Sequence, residues 1–291
     1  MQSLLYYILF LGVKARSLLP FRIIYLLSEL LYFWIYSVLS YRRKVVRMNL
    51  SNSFPKKSEQ ELRILEKKFY HHFCELIPEV IKLMSISEKE LIKRCRLQPA
   101  SKKLLEKLYA EKKSLVIITA HTGNWEWCGS AFQLQCPYPL AIVYRPIRNQ
   151  AMNRLMIKLR TRFGNELVPM QDSLRYMIRT KNETKALAFI SDQAPPPENA
   201  YWTTFMNQDT PVFTGSEKLS KKMGHVVMYF RVKKISRGMY EMSGEVITEN
   251  PSLCMENEIT EKHVRLLEKD ILEQPENWLW THKRWKHRRK L

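Results

Sequence analysis

Short apolar runs alternate with amphipathic stretches along most of the chain. Runs rich in β-branched residues predict strands buried on both faces, and apolar side chains spaced three to four residues apart predict helices. The predicted strands are 115–120, 139–144, 166–170, 185–192, 225–232 and 240–248. The predicted helices are 58–80, a short one starting at 87, 101–113, one starting near 126, 151–162, 173–179, 214–224 and 258–274. Strands that alternate with helices predict an α/β fold with a mixed central sheet flanked by helices.

Local signals set some of the predicted boundaries. A Ser or Thr followed three residues later by Glu predicts a capping box at Ser58, Ser87 and Thr214. Pro78 should kink the first of these helices, because proline removes a backbone donor and clashes with the preceding turn. Residues 49–55 predict a turn-rich link that precedes the first capping box.

The most apolar part of the chain is the N-terminal stretch 4–41. No basic residues precede its first apolar run, which argues against a signal peptide. Arg22 and Glu29 lie seven residues apart on one helix face, and charge is poorly tolerated at the centre of a simple span. A single span, an interfacial helix, a tilted protein-packed anchor and a very hydrophobic pair of core helices remain open. We expect residues 1–48 to anchor the chain in a membrane and residues 49–291 to form the α/β domain.

Composition adds a strong positive charge. The chain has 48 Lys and Arg against 28 Asp and Glu, a net charge of +20, and 45% of its 291 residues are hydrophobic. Such a surface attracts anions, which include nucleic acid, anionic lipid headgroups and acidic partners. The cluster 42–44 would lie on the cytoplasmic side, and the basic stretch 282–290 suits any of these anions. The five cysteines show no metal or disulfide spacing, which fits a reducing compartment.

The candidate chemistry lies where the strand at 115–120 ends. His121 follows this strand, and Glu126 comes five residues later at the start of a predicted helix. In open α/β sheets, ligands bind at the carboxyl ends of the strands. A carboxylate on one imidazole nitrogen leaves the other free to accept a proton. We expect Glu126 to fold back onto His121 as a catalytic pair, and an ordinary surface ion pair is the alternative.

Further polar residues follow the neighbouring predicted strands and should rim the same edge. Arginine suits phosphate or carboxylate groups because its planar fork donates two parallel hydrogen bonds. A solvated surface charge is the alternative for each arginine, and Asp192 could either support the site or pair with an arginine. The candidate substrate-binding residues are Asn124, Arg145, Asn149, Arg160, Arg162, Asp192 and Gln193.

Several catalytic motifs are absent from the sequence. It lacks the Gly-x-Ser-x-Gly elbow of serine acyl-enzymes, the His-Glu-x-x-His zinc motif, the phosphate-binding P-loop and the dinucleotide fingerprint. We therefore expect a site with no cofactor and no metal.

The ordered set of motifs resembles one family. The segment His121-Thr-Gly-Asn-Trp-Glu126 looks like the motif of the lysophospholipid acyltransferase superfamily, a histidine and an acid separated by four residues. Its residues Gly-Asn-Trp-Glu are similar to those of one branch, the late (secondary) bacterial lipid A biosynthesis acyltransferases. The resemblance extends through Arg145-Pro146 with Asn149, the arginines before Gly164, and Asp192-Gln193 to a Trp-rich and basic C-terminal stretch, 275–286. The chain departs from the family at 205–215, where many members have a Phe-Phe-Gly step, which puts the acceptor pocket in doubt.

The resemblance implies a membrane-bound acyltransferase. The acyl donor would be an acyl-carrier-protein thioester, and the acceptor a hydroxyl of a phosphorylated glycolipid, a lipid A precursor, at the cytoplasmic face of the inner membrane. His121 would act as general base, Glu126 would orient it, and no covalent intermediate would form. Arg160 or backbone amides near Gly123 would stabilise the oxyanion.

Three alternatives stay open. The first is an acyltransferase of the same fold that acts on another membrane lipid, such as a glycerophospholipid, an aminolipid or a glycolipid. The second is a basic nucleic-acid-binding protein, which explains the charge but not the apolar N-terminus, so we expect no nucleic-acid partner. The third is a structural membrane protein in which His121→Ala would change nothing.

Overall fold

The computed structural model describes residues 2–287 and Arg289. The helices are α1 (Gln2–Ser17), α2 (Phe21–Tyr32), α3 (Arg43–Ser53), α4 (Glu59–Lys82), α5 (Glu88–Arg94), α6 (Pro99–Ala110), α7 (Trp125–Gln133), α8 (Gln150–Arg160), α9 (Ser173–Arg179), α10 (Gly215–Met223) and α11 (Glu258–Glu273). The strands are β1 (Cys95–Leu97), β2 (Leu115–Thr119), β3 (Leu140–Tyr144), β4 (Glu166–Pro169), β5 (Ala186–Ile190), β6 (Tyr201–Phe205), β7 (Gln208–Val212), β8 (Val226–Ser236) and β9 (Met239–Thr248). A π-helical segment, Phe33–Val38, continues α2.

Seven strands form a mixed central sheet in the described part of the chain, in the order β1-β9-β8-β2-β5-β3-β4. β2 pairs in parallel with both β5 and β8, so that Leu115 lies beside Ala186 and Val226. β9 runs antiparallel to β8, and β6 and β7 form a separate two-stranded sheet. The predicted α/β class with a mixed sheet flanked by helices is confirmed. The carboxyl ends of β2 and its neighbour β5 meet at one edge, where the candidate chemistry was expected.

Both faces of the sheet are covered. Ile117 of β2 belongs to an apolar cluster with Trp127, while Val116 and Ile118 belong to a cluster on the other face with Leu187. Because a strand buried on both faces has no polar side, β2 is a continuous apolar run. This rigid layer fixes the end of β2, from which the loop with His121 begins.

The N-terminal helices lie against the α/β body and keep an apolar outer face. Helix α1 packs on α8 and α4, and α2 packs on α4. Glu29 of α2 pairs with His71 and with Arg237 of the body. The stretch Phe21–Val38 is the one helical segment among the described residues that is long and apolar enough to cross a membrane, and 17% of it is buried. The exposed outer side chains include Leu4, Ile8, Leu11, Leu18, Leu26, Leu30, Phe33, Trp34, Val38 and Leu39.

Three local predictions have different outcomes. The capping box at Ser58 is confirmed. The one at Thr214 is wrong, because the carboxylate of Glu217 instead accepts hydrogen bonds from the backbone and hydroxyl of Thr260. The turn-rich link at 49–55 is also wrong, because α3 continues to Ser53, and the expected domain boundary at residue 48 falls inside this helix.

Tertiary contacts override turn propensity there. The side-chain amide of Asn49 donates to the backbone carbonyls of Trp280 and His282, at 2.8 and 3.0 Å, and these bonds hold α3 on the C-terminal segment. Of the basic stretch at 282–290, positions 288 and 290 lie outside the described residues.

Candidate active site

The loop after β2 turns sharply so that His121 faces the end of β5. Gly123 has a φ of +54°, and a Cβ atom there would lie 2.7 Å from Cγ1 of Val232. Only glycine meets both conditions without strain. The backbone N–H of Gly123 donates to the carbonyl of Asn277 at 3.0 Å, and Thr122 forms a β-bridge with Trp278. The loop is thus held between β8 and the C-terminal segment.

Asp192 is the acid that contacts the His121 ring. The Nδ1 atom of His121 lies 2.7 Å from Oδ1 of Asp192, and the backbone N–H of His121 donates to Oδ2 at 3.1 Å. The indole Nε1 of Trp278 donates to the same Oδ2 at 2.8 Å. The Asp192 side chain is 3% exposed and that of His121 is 17% exposed, so the pair opens to solvent on the histidine side.

The electrostatics keep Asp192 ionised. Burial alone would raise the pKa of Asp192, but the charge of His121 and the hydrogen bonds from His121 and Trp278 lower it to about 2. A carboxylate on Nδ1 fixes the tautomer that carries its proton there and leaves Nε2 as the basic nitrogen. The amide Nε2 of Gln193 lies 3.5 Å from this atom. The arrangement can therefore remove a proton from a group that reaches Nε2.

The expected contact between Glu126 and His121 is replaced by another pair. Both oxygens of Glu126 accept from Arg160, with Nε to Oε2 at 2.9 Å and Nη2 to Oε1 at 2.5 Å. Burial alone would lower the pKa of Arg160, but the hydrogen bonds and charge of Glu126 raise it. Glu126 leaves the first turn of α7 toward the end of α8, and this direction explains why it does not fold back onto the histidine. The five-residue spacing between His121 and Glu126 does not reveal that Glu126 pairs with Arg160.

Two of the expected substrate-binding residues are helix caps. The side chain of Asn124 is buried, accepts from the backbone N–H of Trp127 at 2.9 Å and donates to Glu79 at 2.7 Å. Asn149 accepts from the backbone N–H of Met152 at 3.0 Å and thereby caps α8. Asn124 uses its polar atoms within the protein, so we correct its expected role from binding substrate to shaping the loop. Asn149 is exposed and its cap leaves the amide nitrogen to solvent.

The other two arginines lie in different places. Arg145 follows β3 and is exposed. Arg162 donates from Nη1 to the backbone carbonyl of Leu83, just after α4, and its guanidinium lies over the ring of Phe163. The contacts of Arg162 in the described structure do not include any residue of the His121-to-Glu126 segment, whereas Arg160 pairs with Glu126 of that segment.

An apolar cavity lies beside the His121–Asp192 pair. Trp125, which lines this cavity, meets the His121 ring edge to face at a centroid distance of 5.0 Å. Its walls come from the sheet and from one side of α7. The lining residues include Ile117, Cys128, Gly129, Phe132, Ile142 and Phe230. A straight apolar chain that enters past Trp125 would leave its polar end next to His121.

Sequence reasoning did not assign a role to several of these neighbours. Trp278 and His282 lie in the C-terminal stretch 275–286, and His282 accepts from the backbone N–H of Ala194 through Nε2 at 3.3 Å. Burial lowers the pKa of His282 to about 4, so it is neutral at pH 7. The sequence signal for a packed C-terminal segment is the pair Trp278 and Trp280, because an exposed tail has no need of such large apolar side chains. In the described residues we find no group of three or more metal-ligating side chains.

The fold is a mixed α/β fold with a seven-stranded central sheet flanked by helices, and the His121-to-Glu126 segment follows its strand β2. The chain belongs to the bacterial lipid A biosynthesis acyltransferase family, whose model matches residues 1–287. The family membership makes it an acyltransferase.

Named relatives are distant but span most of the chain. It is 24% identical over 266 residues to the lipid A biosynthesis palmitoleoyltransferase of Escherichia coli (strain K12), which covers 85% of this chain and 79% of the relative. A lipid A biosynthesis acyltransferase of Shigella flexneri matches to the same extent, with 24% identity, 85% of this chain and 79% of the relative. The lipid A biosynthesis lauroyltransferase of Escherichia coli (strain K12) is 23% identical over 292 residues, with 97% of this chain and 92% of the relative.

Proposed function

We propose that this enzyme transfers a fatty acyl chain from an acyl-carrier-protein thioester to a hydroxyl of a lipid A precursor, at the cytoplasmic face of the inner membrane. The observation that carries the proposal is the His121–Asp192 pair beside the apolar cavity. The names of the relatives support lipid A as the acceptor. A different acceptor lipid would leave this chemistry unchanged.

The reaction needs one base and no covalent enzyme intermediate. Nε2 of His121 takes the proton of the acceptor hydroxyl while its oxygen attacks the thioester carbonyl. The tetrahedral intermediate then expels the thiolate, which takes the proton back from the imidazolium. Asp192 holds Nδ1 and stabilises the positive charge on the ring, in the way that a carboxylate supports histidine in serine hydrolases. Such proton transfer typically contributes about 10²–10⁴ in rate.

Arg160 is the proposed source of positive charge for the oxyanion. Glu126 binds its Nε and Nη2 atoms, which fixes the guanidinium plane and leaves Nη1 outside this pair. Preorganised donors of this kind cost no reorganisation at the moment of reaction. Glu126 thus acts on the reaction through Arg160 in this proposal, in place of the expected action on His121.

The apolar cavity is the proposed site of the acyl chain, and a substitution at Gly129 tests this proposal. A side chain at this position would project into the cavity toward Ile142, whose Cδ1 atom is 3.5 Å from an added Cβ. We expect Gly129→Leu to lower kcat/KM for the longest accepted acyl chain by at least about 10-fold and to favour shorter chains, because a filled cavity loses apolar burial of about 0.8 kcal/mol per CH₂. Competition between acyl donors of different length measures the shift.

Gly215 provides the matched control for that variant. It begins α10, it is exposed, and an added Cβ would meet no atom within 4 Å. Gly215→Leu should therefore keep the wild-type order of chain lengths. Equal chain-length preference in Gly129→Leu and the wild type would remove the cavity from the proposal.

The outer face of α1 and α2 is the proposed membrane contact. Leu26 and Trp34 are 60% and 55% exposed. Burial of one such side chain is worth about 1.5–3 kcal/mol. We expect Leu26→Asp with Trp34→Asp to reduce partition onto vesicles of phosphatidylethanolamine and phosphatidylglycerol by about 10²-fold, measured by sedimentation. Leu253, which is 82% exposed in a turn after β9, supplies the control Leu253→Asp. Unchanged partition of the double variant would contradict an apolar membrane face here.

A panel of substrates tests the acceptor and the donor. The purified enzyme in detergent micelles is offered a tetraacylated lipid A precursor or lysophosphatidic acid, each with acyl-carrier-protein or coenzyme A thioesters of the same chain. The proposal predicts the highest kcat/KM for the lipid A precursor with the carrier-protein donor. Preference for the lysophospholipid would keep the chemistry and replace the acceptor, and preference for coenzyme A would replace the donor.

A further inference from the structure

Glu79 is a buried acid that no step of the proposed reaction uses. It follows Pro78 inside α4 and is 0% exposed. Its carboxylate accepts three side-chain hydrogen bonds: from Tyr25 at 2.9 Å, from the amide of Asn124 at 2.7 Å and from Tyr240 at 2.8 Å. A buried carboxylate is costly unless its oxygens are bonded in this way.

The three donors come from different parts of the fold. Tyr25 belongs to α2, the N-terminal helix with the exposed apolar face, and Tyr240 belongs to β9. Asn124 caps α7 and lies three residues after His121. The carbonyl of Glu79 also accepts from the indole Nε1 of Trp127 at 2.6 Å. One residue of α4 therefore holds the N-terminal helices, the sheet and the loop of the active site together.

The charge state of Glu79 suits this role at neutral pH. Burial raises the pKa of Glu79, against the lowering effect of the hydrogen bonds from Tyr240, Asn124 and Tyr25, and the result is about 6. Above that pH the group is a carboxylate, which can accept from all three donors at once. A protonated or amide side chain would bring a donor of its own to one of these contacts.

We propose that Glu79 is a positioning residue, which couples the seating of α2 on the body to the geometry of the His121 loop. The Nδ2 atom of Asn124 donates to Glu79, and this bond orients the amide group. The Oδ1 atom of the same group accepts from the backbone N–H of Trp127. A shift of Asn124 moves the start of α7, and with it Trp125 against His121. The effect on rate rests on the proposed function, whereas the effect on the loop does not.

Removal of single hydroxyl groups tests this coupling gently. In Tyr25→Phe, the donor that is lost lies on the N-terminal helix, 96 residues before His121 in the sequence. We expect kcat to fall about 5–10-fold with KM changed less than 2-fold, and the backbone amides of 123–128 to exchange with deuterium at least about 5-fold faster. Glu79→Gln should show the same pattern with a kcat loss of about 10²-fold.

Tyr176→Phe is the matched control. Tyr176 also donates to a glutamate, Glu166, at 2.9 Å, but this pair joins α9 to β4. This variant should keep the wild-type kcat and leave exchange at 123–128 unchanged. Since hydrogen exchange is read on folded protein, it also shows whether Glu79→Gln is native elsewhere, and Tyr25→Phe carries the test if Glu79→Gln does not fold.

One result would overturn the coupling. It is wild-type kcat and wild-type exchange at 123–128 in Tyr25→Phe, whatever the thermal stability of this variant. If the wild type transferred no acyl chain at all, the proposed function would fail, and the exchange data would still decide whether Glu79 positions the loop.

Discussion

Asp192→Asn is expected to lower kcat for acyl transfer by about 10³–10⁴-fold with little change in KM. The carboxylate accepts from Nδ1 and from the backbone N–H of His121. An amide would place a donor against one of them, which would favour the tautomer with its proton on Nε2 and leave the wrong nitrogen to act as base. Steady-state transfer from a labelled acyl donor measures the loss.

A second buried carboxylate serves as the control for that substitution. Glu217 is 3% exposed and accepts from Thr260, without contact to His121. Glu217→Gln should lose stability in thermal unfolding but retain kcat per folded molecule within about 3-fold. A similar kcat loss in both variants would mean that Asp192 acts on the fold and not on the histidine.

Arg160→Lys is expected to reduce kcat by about 10²–10³-fold, the typical cost of one oxyanion donor. Lysine keeps the charge but cannot form the two parallel bonds that Arg160 donates to Glu126. Glu126→Gln should cause a smaller loss, about 10–10²-fold, because the guanidinium remains but is less firmly held. The two variants are compared by kcat at saturating donor.

The Glu126–Arg160 pair also predicts that the effects of the two substitutions on kcat are not additive. If Glu126 acts through Arg160, the double variant Arg160→Lys with Glu126→Gln should be no slower than Arg160→Lys alone, because both changes disrupt the same ion pair. Arg175→Lys is the matched control, since Arg175 is exposed on α9 and pairs with Asp172 away from the site. Fully additive losses in the double variant would show that Glu126 has a separate role, such as the one on His121 that the spacing suggested.

Much of the fold follows from local patterns in the sequence. The strand at Leu115 has apolar residues on both faces, and its end marks the edge where the site lies. The polar residues after β2 and β5 could be placed together, because parallel strands deliver their carboxyl ends to one edge. His121 and Asp192 are both candidates for this reason.

The partner of His121 could not be read from the sequence. Glu126 is five residues away from His121. Its side chain extends from the first turn of α7, and the direction of that helix places the carboxylate next to Arg160. Asp192 is distant in sequence and adjacent only because β2 pairs with β5. The roles of Asn124 and Asn149 as caps also depend on where the helices begin, a boundary that patterns locate poorly.

The transfer reaction itself is the most direct test of the account. Labelled acyl-carrier-protein and a tetraacylated lipid A precursor are incubated in micelles with the wild type and with His121→Ala, at matched amounts of folded protein. The account predicts an acylated precursor with the wild type and a loss of about 10³-fold or more with His121→Ala. Wild-type rates in His121→Ala would contradict the mechanism, and the absence of product with the wild type would contradict the proposed function.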